Sequence, residues 1–443
     1  MGRIRTSTWV LFVFANLFFA LAAGGDPSGP RFPPASISGL GPVGITEVQP
    51  VGTSRSPRSS TTGEELAVRT ANEFGFELLR RLYAGREDER ENVFISPLSV
   101  SLSLGMLLNA AGGETFEAMG NALGLDGLTV VEANEAYREL MDLLVRLDSS
   151  VELRLANHSW LDESFRVRQD YRDRVQVFFD AEIDNVRFEE PDMARAINGW
   201  VKESTAGRIT DMVTPEEFRG LVALLVNSVY FEADWTDPFD PEETAMVVFR
   251  RADGTAVNVP TMRQELDARV GGGEDYGEDF VAVDLPYGGE VFSMMVVVPV
   301  GDATLSGLIE GMDDARWQEV VGALRGEART EVRLPRFELA YEKVLNDVLK
   351  AMGMGVAFDR SRADFGWLIG NQALEAAPYI GWMKQKSFLR VDEEGTETAA
   401  ATGTAFATSG SPTLQADRPF LFAIRERQSG AILFMGTVTD PIG

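Results

Sequence analysis

The chain carries a single histidine, His158, and no cysteine. A thiol nucleophile, a disulfide framework and a cysteine metal site are therefore excluded, and so is any multi-histidine metal site. One histidine base is possible in principle. No Gly-x-Ser-x-Gly elbow and no Gly-x-x-x-x-Gly-Lys phosphate loop accompanies it, which disfavours a hydrolase or a nucleotide enzyme. His158 sits in Leu155-Ala156-Asn157-His158-Ser159-Trp160 and reads as a structural histidine. Asn157-His158-Ser159 is a sequon, which matters only in a glycosylating host. No catalytic residue, metal or cofactor is expected.

The unusual chemistry lies in residues 393 to 416. Glu393-Glu394-Gly395-Thr396-Glu397-Thr398-Ala399-Ala400-Ala401-Thr402-Gly403-Thr404-Ala405 is a run of small residues, followed by Phe406-Ala407-Thr408-Ser409-Gly410-Ser411-Pro412. A structureless stretch of this length inside a compact domain is usually functional or disordered. Small side chains with hydroxyls tolerate solvent, yet they also fit inside a close-packed sheet. Side chains alternate along a strand, so Thr396, Thr398, Ala400, Thr402 and Thr404 would share one face, and all are small enough to be buried there. A plain linker is the competing reading, but both flanks are strand-like, so the segment is strung between two sheets.

Those flanks belong to a larger pattern. Strand-like runs cover Val151 to Leu155, Leu221 to Phe231, Val281 to Leu285, Phe292 to Val300, Glu331 to Ala340, Lys386 to Val391, Phe420 to Arg425 and Ala431 to Val438, the last two joined by a turn at Gly430. Gly271 to Gly277 reads as a hairpin loop. Ala71, Phe74, Leu78 and Leu82 recur at helical spacing, with Thr62 and Glu65 placed for a capping box. Ser96-Pro97 supplies a cap and a first-turn proline for the apolar helix Leu98 to Ala110, which should be buried. Further helices are expected at Asp192 to Glu203 and Tyr341 to Met352. There is no internal repeat. Helices first and antiparallel-looking strands later predict one α+β domain over residues 64–443.

Upstream, residues 24–63 are rich in Pro, Gly, Ser and Thr and read as a flexible linker. Residues 1–23 read as an export signal: Arg3 and Arg5, then an apolar run from Trp9 to Ala23 broken only by Asn16, with Ala20-Leu21-Ala22 at cleavage spacing. The run falls short of the ~20 apolar residues of a spanning helix. The expected location is thus secreted, extracellular or periplasmic, with no stable membrane span after signal removal. The net charge of −27 disfavours nucleic acid and anionic membranes as partners. The acidic, lysine-poor composition suggests a bacterial source.

Several segments together resemble the serpin family of serine protease inhibitors. Val391 to Thr402 is similar to the serpin hinge that begins the reactive-centre loop. Asn92-Val93-Phe94-Ile95-Ser96-Pro97-Leu98-Ser99 resembles the opening of the second serpin helix. Leu225-Val226-Asn227-Ser228-Val229-Tyr230-Phe231 with Trp235 and Pro238-Phe239 resembles a central strand of the main sheet. Leu334-Pro335-Arg336-Phe337, Asp417-Arg418-Pro419-Phe420 and Ile432-Leu433-Phe434-Met435-Gly436 follow in the family's order. One such match would be weak; together, in order, they are specific.

The resemblance implies a fold of helices on a large mixed or antiparallel main sheet, further β-sheets and an exposed reactive-centre loop. It implies a loop hinge of Glu393, Gly395, Thr396, Thr398, Ala399, Ala400, Ala401 and Thr402. It implies a breach of Trp235, Arg336 and Glu393, where the loop enters the sheet, and a shutter of Ser96, Ser99 and Asn227. The fourth shutter position, a histidine in many serpins, is Gln385, and Arg418 replaces a second usual histidine. Asn198 and Trp200 match a helix lying across the sheet. The implied function is suicide inhibition of a serine protease by a monomer, with insertion of the cleaved loop into the main sheet. The alternative is a non-inhibitory serpin acting as a binding protein; the hinges of such members tend to carry bulky or charged residues, and Thr396 and Ala399 to Ala401 point the other way. Counting from Glu393 places the scissile bond at Ser409–Gly410, and counting back from Pro419-Phe420 places it at Thr408–Ser409. No Arg or Lys lies between Glu393 and Gln415. An elastase- or subtilisin-like protease is therefore expected rather than a trypsin-like one.

Overall fold

The computed structural model describes residues 11–22, 61–145, 147–273, 278–326, 328–369, 378–393 and 413–442. Its strands, in chain order, are β1 (Leu11–Ala22), β2 (Val93–Ile95), β3 (Glu152–Asp162), β4 (Glu182–Val186), β5 (Leu221–Ala233), β6 (Ala245–Arg250), β7 (Ala256–Gly272), β8 (Phe280–Tyr287), β9 (Phe292–Pro299), β10 (Ala328–Pro335), β11 (Phe337–Val344), β12 (Tyr379–Val391), β13 (Thr413–Gln415), β14 (Phe420–Glu426) and β15 (Ile432–Val438). The longer helices are α1 (Thr62–Ala84), α2 (Pro97–Leu108), α3 (Gly113–Ala122), α4 (Val130–Leu144), α5 (Gln169–Phe179) and α6 (Met193–Ser204), with α7 (Leu305–Glu310) and α8 (Asp314–Ala323) later in the chain. Helices dominate the first part and strands the second, an α+β arrangement.

The first sheet runs in the order β11-β12-β1-β5-β3-β4. Only the β3–β4 contact at its edge is parallel. One face rests on the main core, where α2 packs. Ala223, Leu225, Val229 and Phe231 of β5 join that core together with Met383 and Leu389 of β12. The other face carries α6, whose Ile197 and Val201 bury against Trp160, Leu224 and Val226. Both faces of β5 are thus covered, which explains its nearly continuous apolar run. The second sheet runs β13-β10-β7-β8-β9-β14-β15-β2, with β6 paired to β7.

Local chemistry sets the helix starts. Ser96 accepts from the Ser99 amide and Pro97 fills the first turn of α2. The capping box of α1 uses Thr61 and Glu64, one residue earlier than the Thr62–Glu65 pair expected. The expected strand Glu331 to Ala340 is two strands. Its break falls at Pro335-Arg336, where β10 leaves β7 and β11 begins pairing with β12. Proline has no N–H for the ladder, and Arg336 N donates instead to Pro260 O at 2.9 Å. The helix expected from Tyr341 to Met352 is also displaced. Tyr341 to Val344 finish β11, and only a short irregular helical stretch from Asn346 follows.

Gly436, in the β15 motif, has a steric reason. A Cβ there would lie 2.5 Å from Val93 O of β2 and 2.9 Å from the Phe422 ring. Within the second sheet, Asp284 is fully buried and holds Arg425 at 3.2 Å and Arg427 at 3.1 Å, while Ser293 donates to it at 2.5 Å. Burial lowers the Arg425 pKa, and Asp284 opposes that shift. Among the described residues no helix is long and apolar enough to cross a membrane.

The segment read as an export signal contributes β1. It runs antiparallel to both neighbours, with Leu17 opposite Gln385 of β12 on one side and Asn227 of β5 on the other.

Candidate functional site

Two polar clusters lie along the seam between β5 and β12. The upper one is where β12 ends. Glu393 follows the strand by two residues and is 3% exposed. Arg336 Nε donates to its Oε1 at 2.6 Å, and Thr244 Oγ1 donates to the same oxygen. Arg336 itself is part-exposed, so the carboxylate is the desolvated partner of the pair. Trp235 is buried, stacks on Tyr287 at 4.4 Å and donates from Nε1 to Asp392 O at 3.0 Å. Trp235, Arg336 and Glu393 are thus brought together, anchoring backbone and side chain of the last described residues before 394. Sequence reasoning missed Thr244, which lies far off in the chain and carries no local signal.

The lower cluster lies midway along β5. Ser96 Oγ donates to Leu433 O at 2.7 Å, and the Ser99 amide donates to Ser96 Oγ at 3.1 Å. Ser99 Oγ donates to Asn227 Oδ1 at 2.5 Å. Asn227 Nδ2 then donates to Asn157 Oδ1 at 2.8 Å, and Asn157 Nδ2 donates to Phe179 O at 2.7 Å. This chain ties α2, β5, β3 and the end of α5 together through buried groups that need partners. Asn157, noted in the sequence only for its sequon, is a member of this network that the sequence did not reveal. It is 3% exposed with its amide nitrogen engaged, so in the folded chain it is no acceptor for a glycan.

Gln385 does not join this network. It is fully buried on β12, and neither its Oε1 nor its Nε2 has a hydrogen-bond partner among the described residues. The reason is topological: β1 lies between β12 and β5, putting Gln385 and Asn227 on opposite sides of Leu17. The hinge and bait residues Gly395, Thr396, Thr398, Ala399, Ala400, Ala401, Thr402, Thr408, Ser409 and Gly410 lie outside the described residues.

His158 is buried on β3, stacked on Trp160 at 3.8 Å with Trp200 of α6 edge-on at 5.3 Å. Its Nε2 lies 3.1 Å from Asp184 Oδ2 and its Nδ1 3.2 Å from Glu182 Oε2. The hydrogen bond to His158 holds the Asp184 carboxyl below the usual carboxylate range. The two carboxylates thus meet different ring nitrogens. Among the described residues no group of three His, Asp or Glu gathers to hold a metal. Asn198 bridges α6 to the following loop, accepting from the Met212 and Val213 amides at 2.8 and 3.0 Å.

Comparison with known proteins gives this arrangement its context. The profile of the family described as Serpin (serine protease inhibitor) matches residues 69–441. Neuroserpin of Gallus gallus is 33% identical over 384 residues, covering 84% of this chain and 91% of its own. An uncharacterised serpin-like protein of Thermococcus kodakarensis is 33% identical over 393 residues, covering 85% of this chain and 86% of its own. The crystal structure of native protease nexin-1 with heparin superposes with a TM-score of 0.73 at 28% identity, covering 86% of this chain and 99% of that one. These relatives are animal and archaeal, and the expectation of a bacterial source finds no support in them. The chain belongs to the serpin family of serine protease inhibitors.

Proposed function

We propose that this protein is a secreted, monomeric inhibitor that traps a serine protease as a suicide substrate. Residues 394–412 are the bait. The protease attacks there, forms an acyl-enzyme at Thr408–Ser409 or Ser409–Gly410, and is carried along as the cut loop enters the first sheet between β5 and β12. Insertion adds a strand from within the same chain. The protease's site is distorted before hydrolysis finishes, driven by strain held in a metastable fold. The observation that carries the reading is the placement of Glu393. It is clamped by Arg336 and Thr244 at the end of β12, beside the seam the loop would enter. Gly395, Thr396, Thr398, Ala399 to Ala401 and Thr402 follow as a hinge whose small side chains suit a buried strand.

The test is incubation with a panel of serine proteases followed by denaturing gels. A denaturation-resistant complex is expected, formed faster with elastase- or subtilisin-like enzymes than with trypsin, because the bait lacks Arg and Lys. Efficient trapping of trypsin overturns the specificity; clean cleavage of the loop without a complex overturns the inhibitory reading. A second reading, a non-inhibitory binding protein, is favoured by one observation: the seam between β5 and β12 already holds β1.

A further inference from the structure

We infer that Leu11–Ala22 is an intramolecular ligand of the gap between β5 and β12, and that a chain retaining it is held in a form that cannot insert its loop. This deepens the inhibitory reading and rests on it. The pairing is continuous along both neighbours: Phe12 to Ala22 face Arg390 to Tyr379 of β12, and Leu11 to Ala22 face Ala233 to Leu221 of β5. Each side has one local register irregularity near Ala20–Ala22. A strand bonded on both edges uses every ladder position of its neighbours, so a second strand has nowhere to pair. The direction is also the competing one. A segment continuing from Val391 and folding back beside β12 runs antiparallel to it, as β1 does.

Gln385 shows that this occupant is a placeholder. Adjacent strands lie about 4.8 Å apart, so β1 holds the backbones of Gln385 and Asn227 at roughly twice that spacing. Both side chains belong to the face that β5 and β12 turn toward the core. With β1 absent and the two strands closed together, Gln385 comes within cross-strand reach of Asn227. With a threonine-bearing strand in the gap, hydroxyls become available to it instead. Among the three states, the one occupied by Leu11–Ala22 leaves the Gln385 amide without a partner. The sequence of the segment offers one polar side chain, Asn16, opposite Lys386 and Ser228 rather than Gln385. Hydrolysis of a peptide bond after Ala22, with water as the second reactant, detaches the segment from the domain and lets it leave. Export processing and release of the inhibitor would then be one event.

The absence of native cysteine makes the register directly testable. In the full chain, Ala15→Cys with Ser387→Cys and, separately, Asn16→Cys with Lys386→Cys place thiols directly across β1 and β12. Opposed pairs alternate between hydrogen-bonded and non-hydrogen-bonded types, so the two choices sample both geometries. Mild oxidation is expected to crosslink at least one pair, read by peptide mass, while Ala15→Cys with Met383→Cys stays reduced. A full-chain variant with Ala15→Pro and Phe18→Pro cannot hold the ladder on both sides. The crosslinked protein is expected to be cut in the loop without a covalent protease complex, and the proline variant to form one. Absence of crosslinking in both pairs, or equal complex formation by the crosslinked and proline forms, overturns the inference. Crosslinking together with no complex from the proline variant leaves the occupancy standing and removes the inhibitory reading on which the arming rests.

Discussion

The buried amide at Asn157 shows how one residue can hold three elements. It passes a hydrogen-bond chain from Asn227 to the end of α5. Asn157→Ala leaves the Asn227 Nδ2 without its acceptor, and an unmade buried hydrogen bond costs about 1–3 kcal/mol. We expect a lower urea midpoint with unchanged slope; an unchanged midpoint would show the chain of amides to be unimportant. Nothing local marks Asn157, because its partners lie 70 and 22 residues away. Ser96 was legible because cap chemistry is local. Asp184 carries the pH dependence at this scale. A carboxyl held below its ordinary range contributes stability that is present above about pH 4 and lost as pH falls through the folded value. Asp184→Asn should therefore lower the melting temperature at pH 6 and have a smaller effect near pH 3. Asp184 is half-exposed, so the difference should stay below about 1 kcal/mol. An equal effect at both pH values would place its role in shape rather than charge.

At the scale of elements, periodicity carried the buried helices and β5, and failed where the chain changes partners. Glu331 to Ala340 reads as one strand because both halves alternate, yet the buried positions shift phase from Val332 and Leu334 to Phe337 and Leu339 across Pro335-Arg336, where the chain turns from β7 toward β12. Tyr341 to Met352 has helical spacing in part, yet β12 offers its edge to Tyr341 through Val344 and wins them as strand. The apolar run Leu11–Ala22 is ambiguous by nature, since a hydrophobic stretch interrupted only at Asn16 fits a signal, a helix or a buried strand equally. The loop is the element whose proposed work depends on alternation. Thr396→Arg would put a guanidinium on the inward face of the inserted strand, and a buried charge without a partner is too costly to accommodate. We expect the variant to be cleaved as a substrate, with loss of the covalent complex on gels. Undiminished complex formation would rule out insertion through that position.

On the proposed mechanism, the whole molecule is balanced between two occupants of one gap and a closed seam. A metastable fold that gains a strand should become more stable once its loop is cut, because insertion completes the sheet. Each kcal/mol moves the melting temperature of a domain this large by roughly 1–1.5 °C, because the unfolding entropy grows with length, and a gain of several kcal/mol is still seen. That gain requires the gap to be free. In the full chain β1 fills it, so cutting the loop should leave the melting curve nearly where it was. In the chain carrying Ala15→Pro and Phe18→Pro the same cut should raise the melting temperature by roughly 5 °C or more. Scans at one fixed rate compare the cut and uncut forms of both chains, because irreversible melting depends on rate. A large rise in the chain with Leu11–Ala22 unchanged would mean the loop displaces β1 unaided. No rise in either chain would mean that the cut loop does not insert, and that the fold is not held under strain.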